Sequence, residues 1–481
     1  MTDKRDPNYR ENIITETRSM IEETIAGGKV LPPHLQGMKA ITTADYLQGY
    51  SLEKPAKHLY FVEDLVRRLI ARKLNPQGSK AAHWNIITAI NSGLIEGFVA
   101  EGAINDPISL ATAPELAYYK TLQETGQYTE EQLAESRNYD DTPALTMLTA
   151  LQSLFVQEDI AHLGGNITAL GAPTGLAAVD SAVAGSLAGS TNYDIGVSAL
   201  TAWGWIRQSK GRVAGVDAAR ETNADIITSY TTGSVSSCVL TWNDVPGAFA
   251  YNVYIALHSG TLKYQKTVFA NKCNLGTINA GNAPNSGDQT ANPLAYDGMV
   301  NLMYNGSCYY KNMAGGVLTG DGAAGVVQVE DFLQYAWNTW RISATRILMN
   351  AQEMRTFKAL TIGGGSWNTV RRTIDSAESR TFAAGSSVGS YWSPYTAQEI
   401  PIEASLHVPP GMIIFMTERI PYPQAETPNN MEFELQQEYF ARPLAITDRT
   451  QKYSVSEIGV LKIYLPAACG IIKNISPAAI I

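Results

Sequence analysis

Apolar residues recur at helical spacing in some parts of the chain and alternate strictly in others. In HLYFVEDLVRRLIARKL (58–74) they fall at 59, 61, 62, 65, 66, 69, 70 and 74. That spacing predicts a helix, with Arg67, Arg68, Arg72 and Lys73 on its opposite face, a face that reads as solvated surface or protein contact rather than nucleic-acid site. Residues 97–141, including TGQYTEEQLAESRNYDD, show scattered acids and no period, and read as loop. From there Leu145, Leu148, Leu151, Phe155 and Ile160 recur along one side of a helix. Thr142 reads as its N-cap, Pro143 suits its first turn, and Gly164-Gly165 stops it. At 1.5 Å per residue it would run roughly 30 Å, the longest rigid element in the pattern. Further on, VVQVEDFLQYAWNTW (326–340) places Val329, Phe332, Leu333, Ala336, Trp337 and Trp340 on one side, and AQEMRTFKAL (351–360) predicts another helix.

Alternation with period two marks STNYDIGVSAL (190–200), SSCVLTW (236–242), FAYNVYI (249–255) and KYQKTVF (263–269) as half-buried strands. Pro246-Gly247 makes the turn between two of them. In the strand after it, Phe249, Tyr251, Val253 and Ile255 are expected on one face. These strands lie in a Thr/Ser/Ala/Val/Gly-rich segment, 171–290, whose acids and bases balance and which runs out in NAGNAPNSGDQTANP (279–293). It reads as a self-contained β-sandwich inserted through flexible ends. ATRILMN (344–350), GMIIFMT (411–417), MEFELQQEYF (431–440) and VLKIYLP (460–466) add strands to an α+β body formed by the two flanking regions.

The 481 residues suffice for two to four domains, and 45% hydrophobic with 17% charged residues excludes a largely disordered chain. A net charge of −9 argues against a surface that grips nucleic acid broadly. No apolar run suits a signal peptide or a membrane helix, so no membrane partner is expected. The start at Met1 suggests that no N-terminal segment has been cleaved. Cys238, Cys273, Cys308 and Cys469 have no metal-ligand spacing. Cys238 and Cys273 share the sandwich and can in principle pair, but reduced, buried thiols are the favoured reading. The six histidines form no HxxxH or HExxH pair.

Three motifs suggest chemistry. GDGAAG (Gly320, Gly322, Gly325) matches GxGxxG, yet follows a weak strand and has no acid near 345 for a ribose. GSSVG (385–389) would make Ser387 a nucleophile, but lacks the strand and helix of a nucleophile elbow. Asp140-Asp141 suits a helix N-terminus better than a catalytic dyad. The expectation is no enzyme: no catalytic, cofactor-binding or metal residues, and no cofactor.

Two resemblances then organise the chain. LTWNDVPGAFAYNVYI (240–255) resembles part of a fibronectin type III or bacterial immunoglobulin-like domain. Trp242 and Tyr251 would be its core, with Trp203, Trp205 and Trp242 as a less favoured ligand platform. QEDIAHLGGN (157–166), VEDFLQYAWNTWRISATRILMN (329–350), VPPGMIIFMTERIPYP (408–423) and YSVSEIGVLKIYLPAACGIIKNI (453–475), in that order, resemble the major capsid protein of tailed bacteriophages, the fold first seen in the Hong Kong phage capsid. The resemblance covers roughly 40–170 and 290–475. It implies an N-terminal arm (1–55), an arm helix and start of the peripheral domain (56–96) and an extended E-loop (97–141). It also implies the spine helix of the peripheral domain (142–170), the inserted sandwich (171–290), an axial domain (291–400), and the remaining axial and C-terminal peripheral strands (401–481). The function implied is self-assembly as hexamers and pentamers into an icosahedral head around phage DNA, built in the host bacterial cytoplasm and resident in the virion. The partners implied are itself, a portal, scaffolding or decoration proteins, and DNA facing the inner surface without sequence-specific binding; the insertion would decorate the exterior. Some members of this family cross-link through an E-loop lysine. Lys120 is the one candidate here, and no cross-link is expected. The rival readings are an encapsulin-like shell and a carbohydrate-binding or adhesive sandwich protein.

Overall fold

The computed structural model describes residues 15, 19, 62–75, 78–89, 98–104, 111–136, 141–209, 220–234, 236–323, 325–363, 388–420, 429–446 and 448–477. The chain divides into a unit of residues 1–60 and a unit of residues 61–481. The description that follows concerns the second. The polar arm expected at 1–55 lies outside the described residues apart from Thr15 and Ser19.

Along the chain come α1 (Leu65–Leu69), β1 (Ala71–Leu74), β2 (Ala81–Ile87), β3 (Thr112–Tyr118), β4 (Lys120–Thr129), α2 (Glu130–Glu135) and the long α3 (Thr142–Gly164). The sandwich segment holds β5 (Ala177–Ser181), β6 (Asn192–Leu200), α4 (Ala202–Ser209), β7 (Asp225–Thr231), β8 (Ser237–Thr241), β9 (Ala250–Leu257), β10 (Lys263–Val268) and β11 (Lys272–Leu275). There follow α5 (Met299–Asn305), β12 (Tyr309–Asn312), α6 (Val327–Trp340), β13 (Arg346–Met349), α7 (Ala351–Gly363), β14 (Ser390–Ser393) and β15 (Gln398–Ala404). The last elements are β16 (Ile413–Met416), β17 (Met431–Pro443), β18 (Thr450–Ile463) and β19 (Gly470–Lys473). The fold is α+β: few helices and several sheets.

Two sheets make the body. One runs β1-β17-β18-β4, the other β12-β19-β16-β13-β15-β14. The second half of α3 buries Ile160, Ala161 and Leu163 in a cluster with Phe433, Leu461 and Met299. The amphipathic α6 buries Val329, Phe332, Leu333 and Ala336 against Ile347, Phe415 and Ile472 in a second cluster, as its spacing predicts.

Three expectations for the first part of the chain give way to the structure. The helix expected over 58–74 ends at Ile70, whose φ of −81° and ψ of 128° are extended. Ala71–Leu74 instead pairs in parallel with Glu432–Leu435, so an open sheet edge and a buried partner for Arg72 outweigh a weak helical propensity. The stretch 97–141, read as loop, carries β3, β4 and α2; β4 pairs along its length with β18. The long helix is capped by the Asp141 side chain, which accepts from the Ala144 amide at 3.3 Å, and not by Thr142. Its buried residues include Ala150 and Leu154, while Leu148 of the expected stripe is 51% exposed.

The alternating segments form β6, β8, β9 and β10 where the pattern puts them. Two sheets, β11-β8-β5 and β10-β9-β6-β7, share one hydrophobic cluster in which Trp242 and Tyr251 are buried, edge to face at 5.3 Å. Phe249 departs from the expected face: it packs with Ala202 and Ile206 in the body's cluster. The ends of the segment are not flexible tethers. Gly298 N–H donates to the Gly165 carbonyl at 2.8 Å, Ile167 N–H to Asp297 Oδ1 at 2.9 Å, and Asn166 Nδ2 to the Thr290 carbonyl at 2.6 Å. A Cβ on Gly165 would lie 2.4 Å from the Tyr296 carbonyl oxygen and one on Gly298 2.6 Å from that of Ala161, so only glycines let the two limbs approach.

Candidate assembly surface and the ion networks behind it

β2 and β3 form a two-stranded antiparallel arm, with Ala81 opposite Tyr118 and Ile87 opposite Thr112. Along β2, Trp84 Nε1 donates to the Ile463 carbonyl at 3.1 Å, and Ile87 N–H, at the end next to the connection, to that of Tyr464 at 2.8 Å, so the strand pair lies against the body. Lys462 pairs there with Glu434, which also accepts from Tyr119. Burial, and secondarily Lys73, bring the Lys462 ammonium down to about 8. Exposed apolar side chains occur on β3 and in the described piece 98–104 of the connection. Phe98 is 91% and Ile104 95% exposed, and Leu116 and Tyr118 are about half exposed. Large apolar side chains left this exposed suit burial on another surface.

Behind the arm, Arg72 reaches from β1 into the body. It pairs with Glu158 of α3 and with Glu457 Oε2 of β18 at 2.9 Å, and its Nη1 donates to the Tyr439 hydroxyl at 2.8 Å. Tyr439 donates to Glu158. His162 Nε2 lies 3.1 Å from Glu158 Oε1, and its Nδ1 lies 2.9 Å from the Tyr296 hydroxyl. Burial would raise the Glu158 carboxyl, but His162, Arg72 and Tyr439 hold it below the usual range. Burial and the Glu158 charge push Glu457 up to about 8 against the pull of Arg72. Two carboxyls thus compete for one guanidinium: Glu158 keeps the charge and Glu457 is pushed towards its protonated form. Asp159 accepts from the Arg67 amide at 2.8 Å and lies 2.5 Å from His407 Nδ1. The basic face at 67–73 is therefore largely engaged within the chain: Arg67 and Arg68 pair with Asp64.

A second network seats the sandwich. Asp244, in the loop before β9, pairs with Lys473 of β19 at 2.9 Å, with side chains 8% and 2% exposed. It also accepts from Asn474 Nδ2 at 2.7 Å, from the Tyr251 hydroxyl at 2.8 Å and from the Tyr310 hydroxyl.

The sequence motifs are dispersed. In GDGAAG the Asp321 carboxylate accepts the amides of Ala323 and Gly325 at 2.7 and 2.8 Å, so the loop is closed on its own side chain. Ser387 and Asp140 lie outside the described residues. Lys120 opens β4 in the body sheet, not the arm, and its Nζ donates to the Pro293 carbonyl at 2.6 Å. Of the tryptophans, Trp242 is core, Trp205 packs edge-on against Phe269 at 5.9 Å, and Trp203 faces a cavity. The four cysteines are free, and burial pushes the Cys238 and Cys273 thiols up to about 12 and 11. Periodicity missed the networks because Glu158, Asp159 and His162 read as a polar helix end; the signal available was a run of charges inside an otherwise apolar turn.

No protein-family model and no curated protein matches the chain. Among solved structures it is similar to the capsid of the cyanophage A-1(L), with 10% identity, 90% of this chain and 99% of the other covered, and a TM-score of 0.44. It is also similar to the capsid of an empty GTA particle (10% identity, 91% and 100% covered, TM-score 0.43). A third likeness is to the holo-SrpI encapsulin of Synechococcus elongatus (10% identity, 91% and 96% covered, TM-score 0.39).

Proposed function

We propose that this chain is a major capsid protein of the tailed-phage type. It would associate with its own copies as hexamers and pentamers into an icosahedral head enclosing phage DNA, with the sandwich displayed outside. The observation that carries this reading is the β2–β3 arm. The strand pair itself rests on the body through Ala82 and Trp84, but the connection between its strands carries the nearly bare Phe98 and Ile104. The arm follows the element rooted by Arg72 and precedes the long helix on which the body sheet packs. Such an arm is uneconomical in a monomer and gains stability by burying its surface on a neighbouring copy. The strand order of the sandwich supports an immunoglobulin-like assignment. β5 neighbours β8 in one sheet and β6 neighbours β9 in the other, with β7 antiparallel to β6 and the hairpin β9–β10 at the two edges of the second sheet. In this reading the E-loop is the β2–β3 arm, 81–118, and the spine helix is α3. The portal, scaffolding proteins and location in the virion belong to the same proposal.

Negative-stain microscopy of the expressed chain tests it. Closed shells or ring-shaped capsomers are expected, and persistent monomers at high concentration would overturn it. Mass spectrometry of purified particles then separates a DNA-filled head from a shell around a cargo protein.

A further inference from the structure

A cavity of about 360 Å³ opens where β4, α3 and the neck of the sandwich meet, lined among others by Lys120, Arg207, Arg220, Trp203 and Gln157. Three cations border one space in a chain of net charge −9. Among the described residues none of them pairs with a carboxylate. Lys120 Nζ donates to the Pro293 carbonyl, and Arg220 Nη1 to the Ala291 carbonyl at 3.0 Å. Burial first, and the neighbouring charge of Arg207 second, hold the Arg220 guanidinium below its ordinary value.

The fourth wall is aromatic. Trp203 is half-buried on the first turn of α4, and its ring borders the same space, whereas Trp205 and Trp242 are engaged with Phe269 and Tyr251. Guanidinium forks match the geometry of phosphate oxygens, and an aromatic face accepts a base by stacking. The volume falls within the roughly 300–1,000 Å³ of small-ligand sites. We propose that this cavity binds a nucleoside monophosphate, free or as one nucleotide of a single strand, with its phosphate held by Lys120, Arg207 and Arg220 and its base against Trp203. This site is local and independent of the shell reading, and it is compatible with an acidic chain that does not grip nucleic acid broadly.

Isothermal titration calorimetry on the full chain at low salt tests it, with thymidine monophosphate, thymidine, inorganic phosphate and hexathymidylate as probes. Thymidine monophosphate is expected to bind saturably, and thymidine and phosphate at least about tenfold more weakly. Arg207→Gln, which removes a side chain with no ion-pair partner among the described residues, is expected to weaken the monophosphate at least about tenfold without moving Tm. Trp203→Ala should leave phosphate binding unchanged and bring thymidine monophosphate down towards the affinity of inorganic phosphate. Tighter binding of hexathymidylate than of the monophosphate assigns the site to a strand; equal or weaker binding assigns it to the free nucleotide. The proposal is overturned if no probe binds below about 10 mM, if Arg207→Gln binds like the parent, or if phosphate binds as tightly as the monophosphate.

Discussion

Replacing Asp244 with Ala tests whether the sandwich is seated on the body or merely tethered to it. The carboxylate loses four donors at once: Lys473, Asn474, Tyr251 and Tyr310. The heaviest loss is the one left on Lys473, whose ammonium stays buried with the Val245 carbonyl at 2.8 Å as its remaining hydrogen-bond acceptor. Breaking a buried pair from one side costs about 3–5 kcal/mol. The surviving carbonyl contact argues for the lower end of that range. Adding Lys473→Met removes the stranded charge, so the double variant should recover most of the loss. Urea unfolding of the unassembled subunit, followed by tryptophan fluorescence, measures both. Burial raises the Asp244 carboxyl, but Lys473, Tyr310 and Asn474 outweigh it and hold the group below its ordinary value. Its stabilisation is therefore complete above an unfolded value of about 3.9 and is lost as pH falls through the lower folded one. The gap between parent and Asp244→Ala should accordingly hold constant from pH 7 to about 5. A loss under about 1 kcal/mol, or no rescue by Lys473→Met, would refute a seated sandwich.

Two further outcomes are expected. Phe98→Asp with Ile104→Asp, at positions over 90% exposed, should change subunit stability by no more than about 0.5 kcal/mol while abolishing assembly. Sedimentation velocity reads both states, and particles formed at parental yield would contradict the role of the arm. Glu457 is pushed up to about 8, so the folded chain keeps a proton that the unfolded chain releases near 4.3. Its contribution makes stability fall as pH rises from about 4.3 to 8, and Glu457→Gln should remove that part of the slope from the urea midpoints; an unchanged slope would count against a Glu457 held towards its protonated form by Glu158.

Periodicity located α3, α6, α7 and the sandwich strands closely. α6 buries one repeating face, whereas the last two turns of α3 and the strands β6 and β9 are buried on all sides and were found by their length, bounding glycines and alternation. It failed at Ala71–Leu74, where four residues of helical spacing become an edge strand because β17 offers an unpaired edge and Glu158 and Glu457 await Arg72. It failed again over 112–135. The strands there face neighbours only in part, with exposed and half-buried residues along them, so little apolar alternation survives. The candidate site was least legible. Nothing near Phe98 announces an arm, since its strands become visible only when Ala81–Ile87 and Thr112–Tyr118 are seen paired across 24 intervening residues.

Read alone, the sequence determined an α+β chain with a long capped helix, a β-sandwich segment and Trp242 and Tyr251 inside it, because local periods and turn residues encode which face is buried. Only the tertiary structure decided how those pieces are held. Arg72 finds Glu158 and Glu457, Asp244 finds Lys473, and Gly165 meets Gly298, all pairs far apart along the chain. An ion pair is stable in the interior only when both partners are desolvated together and their remaining hydrogen bonds are met. That condition belongs to the packed body and has no signature in any short stretch of sequence.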